Sequence, residues 1–351
     1  MKIGLVSSNG VNSADAMLEI ELGELLRKNG QEIIPIIQSE IGSSGIISKG
    51  FSYKIADLSR KEDAKNILSE FDVIILTKEA SPKPPHGNPR KSHVLNKSVI
   101  DNIIEYTRSD ARIVYLSSIS VLGEKLAEKY KQDILSKEKK FVENRLRIKS
   151  FLGRKRAYIL RIGHVMGAGQ QQTKELIKKL ENGGNIYVDA DGNLESNTVH
   201  ISVLVKIIIM CQNGEINPGK YTVVNTPQWT WKNVIEYYAP DNSEIYFYGK
   251  KDAKMKSMRS IVLSILWRVA EKQKQRLVPL LTYLPEDVNN KILNKHRNGE
   301  NRLIMDGVKD KIGLKMEMFS YHSVKESNSF KVEVKEILEI YEEAKNDKIG
   351  D

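Results

Sequence analysis

The chain carries one cysteine in 351 residues, Cys211, inside the apolar run 203–211. A lone thiol in such a run reads as a small buried hydrophobe, and it excludes both a disulfide framework and a cysteine metal site. The six histidines supply no ligand set with the spacing of a metal centre. No apolar run approaches the ~20 residues of a membrane span. Met1-Lys2 leads straight into Ile3-Gly4-Leu5-Val6, with no secretory leader ahead of it, so a reducing, cytoplasmic setting is expected. Internal repeats and low-complexity segments are absent as well.

What is present suits a protein with a real core: 40% of residues are hydrophobic and 28% charged. The net charge of +10 is uneven, because between Lys250 and Arg276 nine Lys/Arg stand against Asp252 and Glu271, a local excess of +7. There Val262, Ile265, Leu266 and Val269 recur at helical spacing with Trp267 among them, and Arg268, Lys272 and Arg276 take the polar side. This reads as a basic amphipathic helix able to lie on an anionic membrane surface or dock on a partner, or as an ordinary surface helix. A peripheral place at the inner membrane face is therefore expected beside the cytoplasmic one. Nucleic acid fits the charge less well, since the one aromatic lies on the apolar side rather than between the basic residues.

Elsewhere strand-like and helix-like runs alternate. A strand at 2–6 meets the small-residue turn 7–13, a helix follows over 15–28, Asn29-Gly30 closes it, and a second strand runs over 31–37. This is a βαβ unit, whose turn is where a dinucleotide diphosphate would meet backbone N–H groups at a helix N-terminus. Ser7, Gly10 and Ser13 fall at the G-x-x-G-x-x-G spacing with one glycine of three retained, and a serine Cβ crowds a phosphate's approach. Further strands are expected at 51–56, 72–76, 113–116 and 157–161, with helices over 61–70, 91–106 and 123–147. The pattern predicts a doubly wound parallel sheet. After the glycine-rich loop 163–169 come helices over 173–181, 202–211 and 230–238, short strands at 185–188 and 221–224, and a last amphipathic helix over 330–344.

The run Ile113 to Leu116 ends in Ser117-Ser118-Ile119-Ser120, so these hydroxyls are expected at a strand tip, facing the crevice where open α/β sheets hold their ligands. Solvated loop serines are the plain alternative.

In this order the pieces resemble the extended short-chain dehydrogenase/reductase family, the nucleotide-sugar epimerases and dehydratases, over residues 1–239. Ser7, Gly10 and Ser13 match its glycine turn, Asp57-Leu58 its adenine contact, and Asn96 an asparagine supporting the active site. Ser118 falls at its catalytic serine, and Gly163, His164 and Val165 begin its sugar-nucleotide site. Residues 251–351 read as a helical extension past the matching stretch, and the resemblance implies a Rossmann-like α/β domain over 1–162 and a substrate-side lobe over 163–250. It also implies NAD or NADP as cofactor, a nucleotide sugar as ligand, and a homodimer.

The family's chemistry needs Y-x-x-x-K, a tyrosine one helical turn before a lysine that lowers its pKa. Here Lys137 matches the lysine with Asp133 at the tyrosine. Aligning on Lys139, which Glu143 follows at the family's spacing, puts Leu135 there instead. Two readings follow. One is an NAD(P)-dependent nucleotide-sugar epimerase, dehydratase or reductase in polysaccharide biosynthesis, with Ser118, Asp133 and Lys137 catalytic. The other is an inactive relative acting as a nucleotide-binding sensor or scaffold.

Overall fold

The computed structural model describes residues 1–6, 17–40, 43–77, 89–125, 134–181, 184–188, 192–225, 229–247 and 329–332. In chain order these form β1 (Lys2–Val6), α1 (Met17–Lys28), β2 (Glu32–Ile37), α2 (Ser44–Ser48), β3 (Lys54–Ile55), α3 (Lys61–Ile67), β4 (Val73–Leu76), α4 (Pro89–Tyr106), β5 (Arg112–Ser118) and α5 (Ile134–Leu152). There follow β6 (Arg156–Ile162), β7 (His164–Met166), α6 (Gln171–Leu180), β8 (Gly184–Val188), β9 (Thr198–His200), α7 (Ile201–Asn213), β10 (Gly219–Asn225), α8 (Trp231–Tyr238), β11 (Ser243–Phe247) and β12 (Ser329–Val332).

Eight strands make one sheet in the order β12-β10-β6-β5-β4-β1-β2-β3. Every pairing in it is parallel. Both faces are covered, which is why its strands read as continuous apolar runs rather than alternating ones. In β4, Val73 and Ile75 pack toward Leu22 and Leu26 of α1 and Leu204 and Ile208 of α7. Ile74 and Leu76 pack on the other side, with Ile100 and Ile103 of α4 and Val142 and Leu146 of α5. Leu22 and Leu26 are fully buried, each stabilising the fold by about 2 kcal/mol. Cys211 belongs to the same core, and burial pushes its thiol up to about 12.

The expected doubly wound sheet is the one observed. One sequence expectation is corrected. The helix over 330–344 gives way at its start to β12, because Phe330 and Lys331 pair with Val223 and Val224 along the open edge of β10; residues 333–344 lie outside the described residues. β10 and β12 join the sheet from the segments after residues 162 and 250. The partial capping box at Thr230 is realised: its hydroxyl accepts from Asn233 N, while the Asn233 side chain accepts from Thr230 N.

Beyond the tip of β6 lie two small parallel ladders, β7 with β9 and β8 with β11. Among the described residues no helix is long and apolar enough to cross a membrane, and no three His, Cys, Asp or Glu side chains converge as a metal site.

Candidate functional site

Strand order reverses at β1, which pairs with β2 on one side and β4 on the other. A crevice opens at the carboxyl ends of strands at such a point, and ligands of open α/β sheets bind there. Thr77, just past β4, donates to the Val6 carbonyl at 3.1 Å and to Glu19 Oε1 at 2.9 Å, tying β1, β4 and the first turn of α1 together. Glu19 is buried. Its carboxylate suits the positive end of the helix dipole. Ser7, Gly10 and Ser13, the expected diphosphate turn, lie outside the described residues.

On the β2–β3 side, Asp57 Oδ1 accepts from Ser59 N at 3.0 Å and Ser59 Oγ at 2.7 Å. Burial works to raise this carboxyl, but those bonds, a further one from Gln38 and the nearby Arg60 outweigh it and hold it below the usual carboxylate range. Leu58 is buried, and its carbonyl accepts from Asn102 Nδ2 at 2.8 Å. The Asp57-Leu58 turn is thus anchored to α4 with its charged group held ionised.

At the tip of β5, Ser118 is half-buried and its Oγ accepts from Ser120 N at 3.2 Å, opening a 3-10 turn over Ile119–Lys125. Ser117 does not share that outlook. Successive strand side chains point to opposite faces, and Ser117 is 1% exposed, donating to Glu143 Oε1 at 2.7 Å beneath the sheet. There Arg161 Nε bonds Glu143 Oε1 at 3.0 Å and Arg161 Nη2 bonds Oε2 at 2.9 Å, while Lys220 Nζ lies 3.5 Å from Oε2. Burial and the neighbouring Arg161 guanidinium hold the Lys220 ammonium below its usual range.

Lys137 and Lys139 lie on different faces of α5. Its buried residues are Ser136, Glu138, Val142, Glu143, Leu146 and Ser150. At about 100° per residue, Leu135 and Lys139 lie in the middle of that face and Lys137 opposite it. Lys137 is accordingly exposed, on the side of α5 away from that buried face. Lys139 is half-buried, with Nζ 5.9 Å from the ring centroid of Tyr115 on β5. Asp133 lies outside the described residues. Asn96 joins α4 to this helix, its Nδ2 donating to buried Glu138 Oε1 at 3.0 Å. His93 Nδ1 stands 3.0 Å from the other Glu138 oxygen.

Past β6, Gly163, His164 and Val165 begin the short ladder with β9. Gly163 N donates to the Val223 carbonyl and His164 N to the Asn197 carbonyl at 2.8 Å. A Cβ on Gly163 would stand 2.0 Å from the Asn197 carbonyl oxygen, and Asn197 itself has φ 51. Two backbones meet where no side chain fits. Gly163→Ala is expected to destabilise by about 1–3 kcal/mol through forced backbone movement, read as a lower urea midpoint; an unchanged midpoint would refute the close approach. The loop is clasped to α1, where Glu21 Oε1 accepts from Gly169 N at 3.0 Å and Glu21 Oε2 from Gln170 Nε2. Half-buried His164 packs edge-on to Trp231 at 5.6 Å, and desolvation lowers its pKa to about 4.

No family model and no curated protein matches the sequence. Solved structures do. UDP-N-acetylglucosamine 4-epimerase from Bacillus cereus aligns over 74% of this chain and 90% of its own, at TM-score 0.54 and 18% identity. UDP-glucose 4-epimerase from Thermus thermophilus, solved with NAD, aligns over 73% and 88%, at 0.52 and 16%. The chain has the fold of the nucleotide-sugar epimerases and dehydratases. That fold also serves a GalE-like L-threonine dehydrogenase from Cupriavidus necator, similar over 71% of this chain and 86% of that one, at 0.53 and 13%. Within this fold, Asp57 lies just past β3 and Ser118 at the tip of β5, where the sequence put the ends of those strands, while Asn96 lies inside α4. The sequence reading missed the Glu21 clasp and the Arg161–Glu143 pair. Glu143 alone had a signal, its spacing from Lys139.

Proposed function

We propose that the chain binds an NAD(P)-class dinucleotide along the β1–β4 crevice with a nucleotide sugar over β7, and acts by binding rather than by tyrosine-driven proton transfer. It serves as a sensor or scaffold in glycan-precursor metabolism. The observation that carries this is Leu135, which stands one helical turn before Lys139 on the sheet-facing stripe of α5, where a phenol would be needed. An alkyl side chain exchanges no proton.

The side chains fit a dinucleotide at both ends. Asp57, held ionised by Ser59, offers an acceptor to the adenosine moiety, and Lys139 and Ser118 offer donors at the nicotinamide end. The NAD present in the Thermus structure supports this reading. A nicotinamide, when bound, would supply hydride transfer. Ser118 and Lys139 would orient the ligand. A homodimer, and contact of residues 250–276 with a membrane, belong to the same proposal; that segment lies outside the described residues.

Calorimetric titration with NAD(H) and NADP(H) tests the reading. Saturable binding is expected, weakened roughly tenfold or more in Asp57→Ala, since a hydrogen bond to a charged group contributes about 1.5–3 kcal/mol. Absence of binding at millimolar cofactor would refute it. Retained Ser118 favours a residual enzyme as the second reading, and turnover of a nucleotide sugar that Ser118→Ala abolishes would select it.

A further inference from the structure

We propose that the C-terminal end of α5, with the turn into β6, is a docking surface for an anionic lipid bilayer. It lies at the amino ends of the strands, away from the tips that form the candidate site, and is independent of the ligand reading. Ile148, Phe151 and Leu152 are 52%, 82% and 70% exposed. Spaced i, i+3, i+4, they form one stripe, on the side of α5 opposite Glu143 and Leu146. The helix is therefore apolar on two faces, and its own domain covers one of them.

Cations surround this stripe. Residues 145–156 hold six Lys/Arg and no Asp or Glu. Arg145 is tied to Asp101, and Lys155 to the Thr107 carbonyl. Arg147, Lys149, Arg154 and Arg156 are exposed. Arg154 has φ 53, the left-handed region that favours glycine. The tip of the turn thus presents a guanidinium at the cost of backbone strain.

The chemistry selects the occupant. An anionic bilayer takes cations at its headgroups and apolar side chains just beneath them. A second copy across a two-fold axis would set this basic rim against its own image. A nucleic acid would take the cations but leave Ile148 and Leu152 unburied.

The test is sedimentation of the full chain with vesicles of phosphatidylcholine and phosphatidylglycerol, against phosphatidylcholine alone. Binding to the anionic vesicles that weakens with salt is expected, with a loss of roughly tenfold or more in the double variant Phe151→Ser, Leu152→Ser. The pair Arg154→Glu, Arg156→Glu should lose binding similarly. All four side chains are exposed, so thermal unfolding should not move. Undiminished vesicle binding by both variants would assign any membrane contact to another part of the chain and overturn the proposal. Equal binding to neutral vesicles would overturn it too. A dimer that the serine variant converts to monomer, or oligonucleotide binding that it abolishes, would give the surface to another partner with the same consequence.

Discussion

Replacing Glu143 with alanine is expected to destabilise the protein by about 3–5 kcal/mol, because it leaves a buried guanidinium without its carboxylate. Arg161 is 6% exposed and Glu143 fully buried, so water cannot substitute for the missing partner. The loss is a large share of the roughly 5–15 kcal/mol that folded domains hold in reserve. Urea unfolding of the variant should show a much lower midpoint. Replacing both residues with methionine should recover most of the loss, since a buried ion pair is often matched by apolar packing of similar volume. If Glu143→Ala unfolds at the parent's midpoint, the pair is not closed in solution. A functional effect should accompany the structural one. Ser117 loses its acceptor in the variant, so the adjacent Ser118 loses its support and dinucleotide binding should weaken.

Acidification from pH 7 to pH 4 is the second large expected effect. Burial lowers His164 and His200 from 6.5 to about 4 in the folded chain. Their folded pKa values lie below the unfolded ones, so the unfolded chain binds more protons across this window and stability falls with pH. The contribution is whole above about pH 6.5 and lost as pH falls toward 4. A shift of this size corresponds to about 3 kcal/mol for His200 and less for His164, which keeps partial contact with water. His200 has a structural reason to stay neutral. Its Nδ1 caps α7, accepting from Ser202 N at 3.3 Å, and stands 2.7 Å from Ser202 Oγ. Protonation would remove that acceptor. His200→Asn keeps a capping oxygen and removes the titration, so its urea midpoint should fall less steeply between pH 6.5 and 4. An identical slope in parent and variant would show that His200 is not the group responsible.

Much of the fold was legible because parallel strands buried on both faces leave a strong local signature. Ile74, Ile75, Val114 and Leu116 could only be inside. The start of the helix expected over 330–344 was misread because Phe330 and Val332 satisfy helical and strand periods alike over so short a run, and only the open edge of β10 chose between them. The ladder of β7 with β9 was hidden in a glycine-rich loop. It depends on Asn197, more than thirty residues further along the chain, meeting Gly163. The serines at 117 and 118 looked equivalent, and the pleat sends one to Glu143 and leaves the other at the tip.

By itself, the sequence determined the doubly wound parallel sheet, the place of Asp57 and Ser118 at the ends of their strands, and the buried state of Cys211. Each of these follows from local pattern: hydrophobic period, turn chemistry and strand length. Only the tertiary structure set Lys139 rather than Lys137 on the inner side of α5, because both readings have lysine in a helical frame and only the sheet says which side of the helix is inside. It also assembled Ser117, Glu143, Arg161 and Lys220 from two strands, a helix and a neighbouring strand. Charges are buried together only where the fold brings opposite signs within bonding reach, and no local pattern records that meeting.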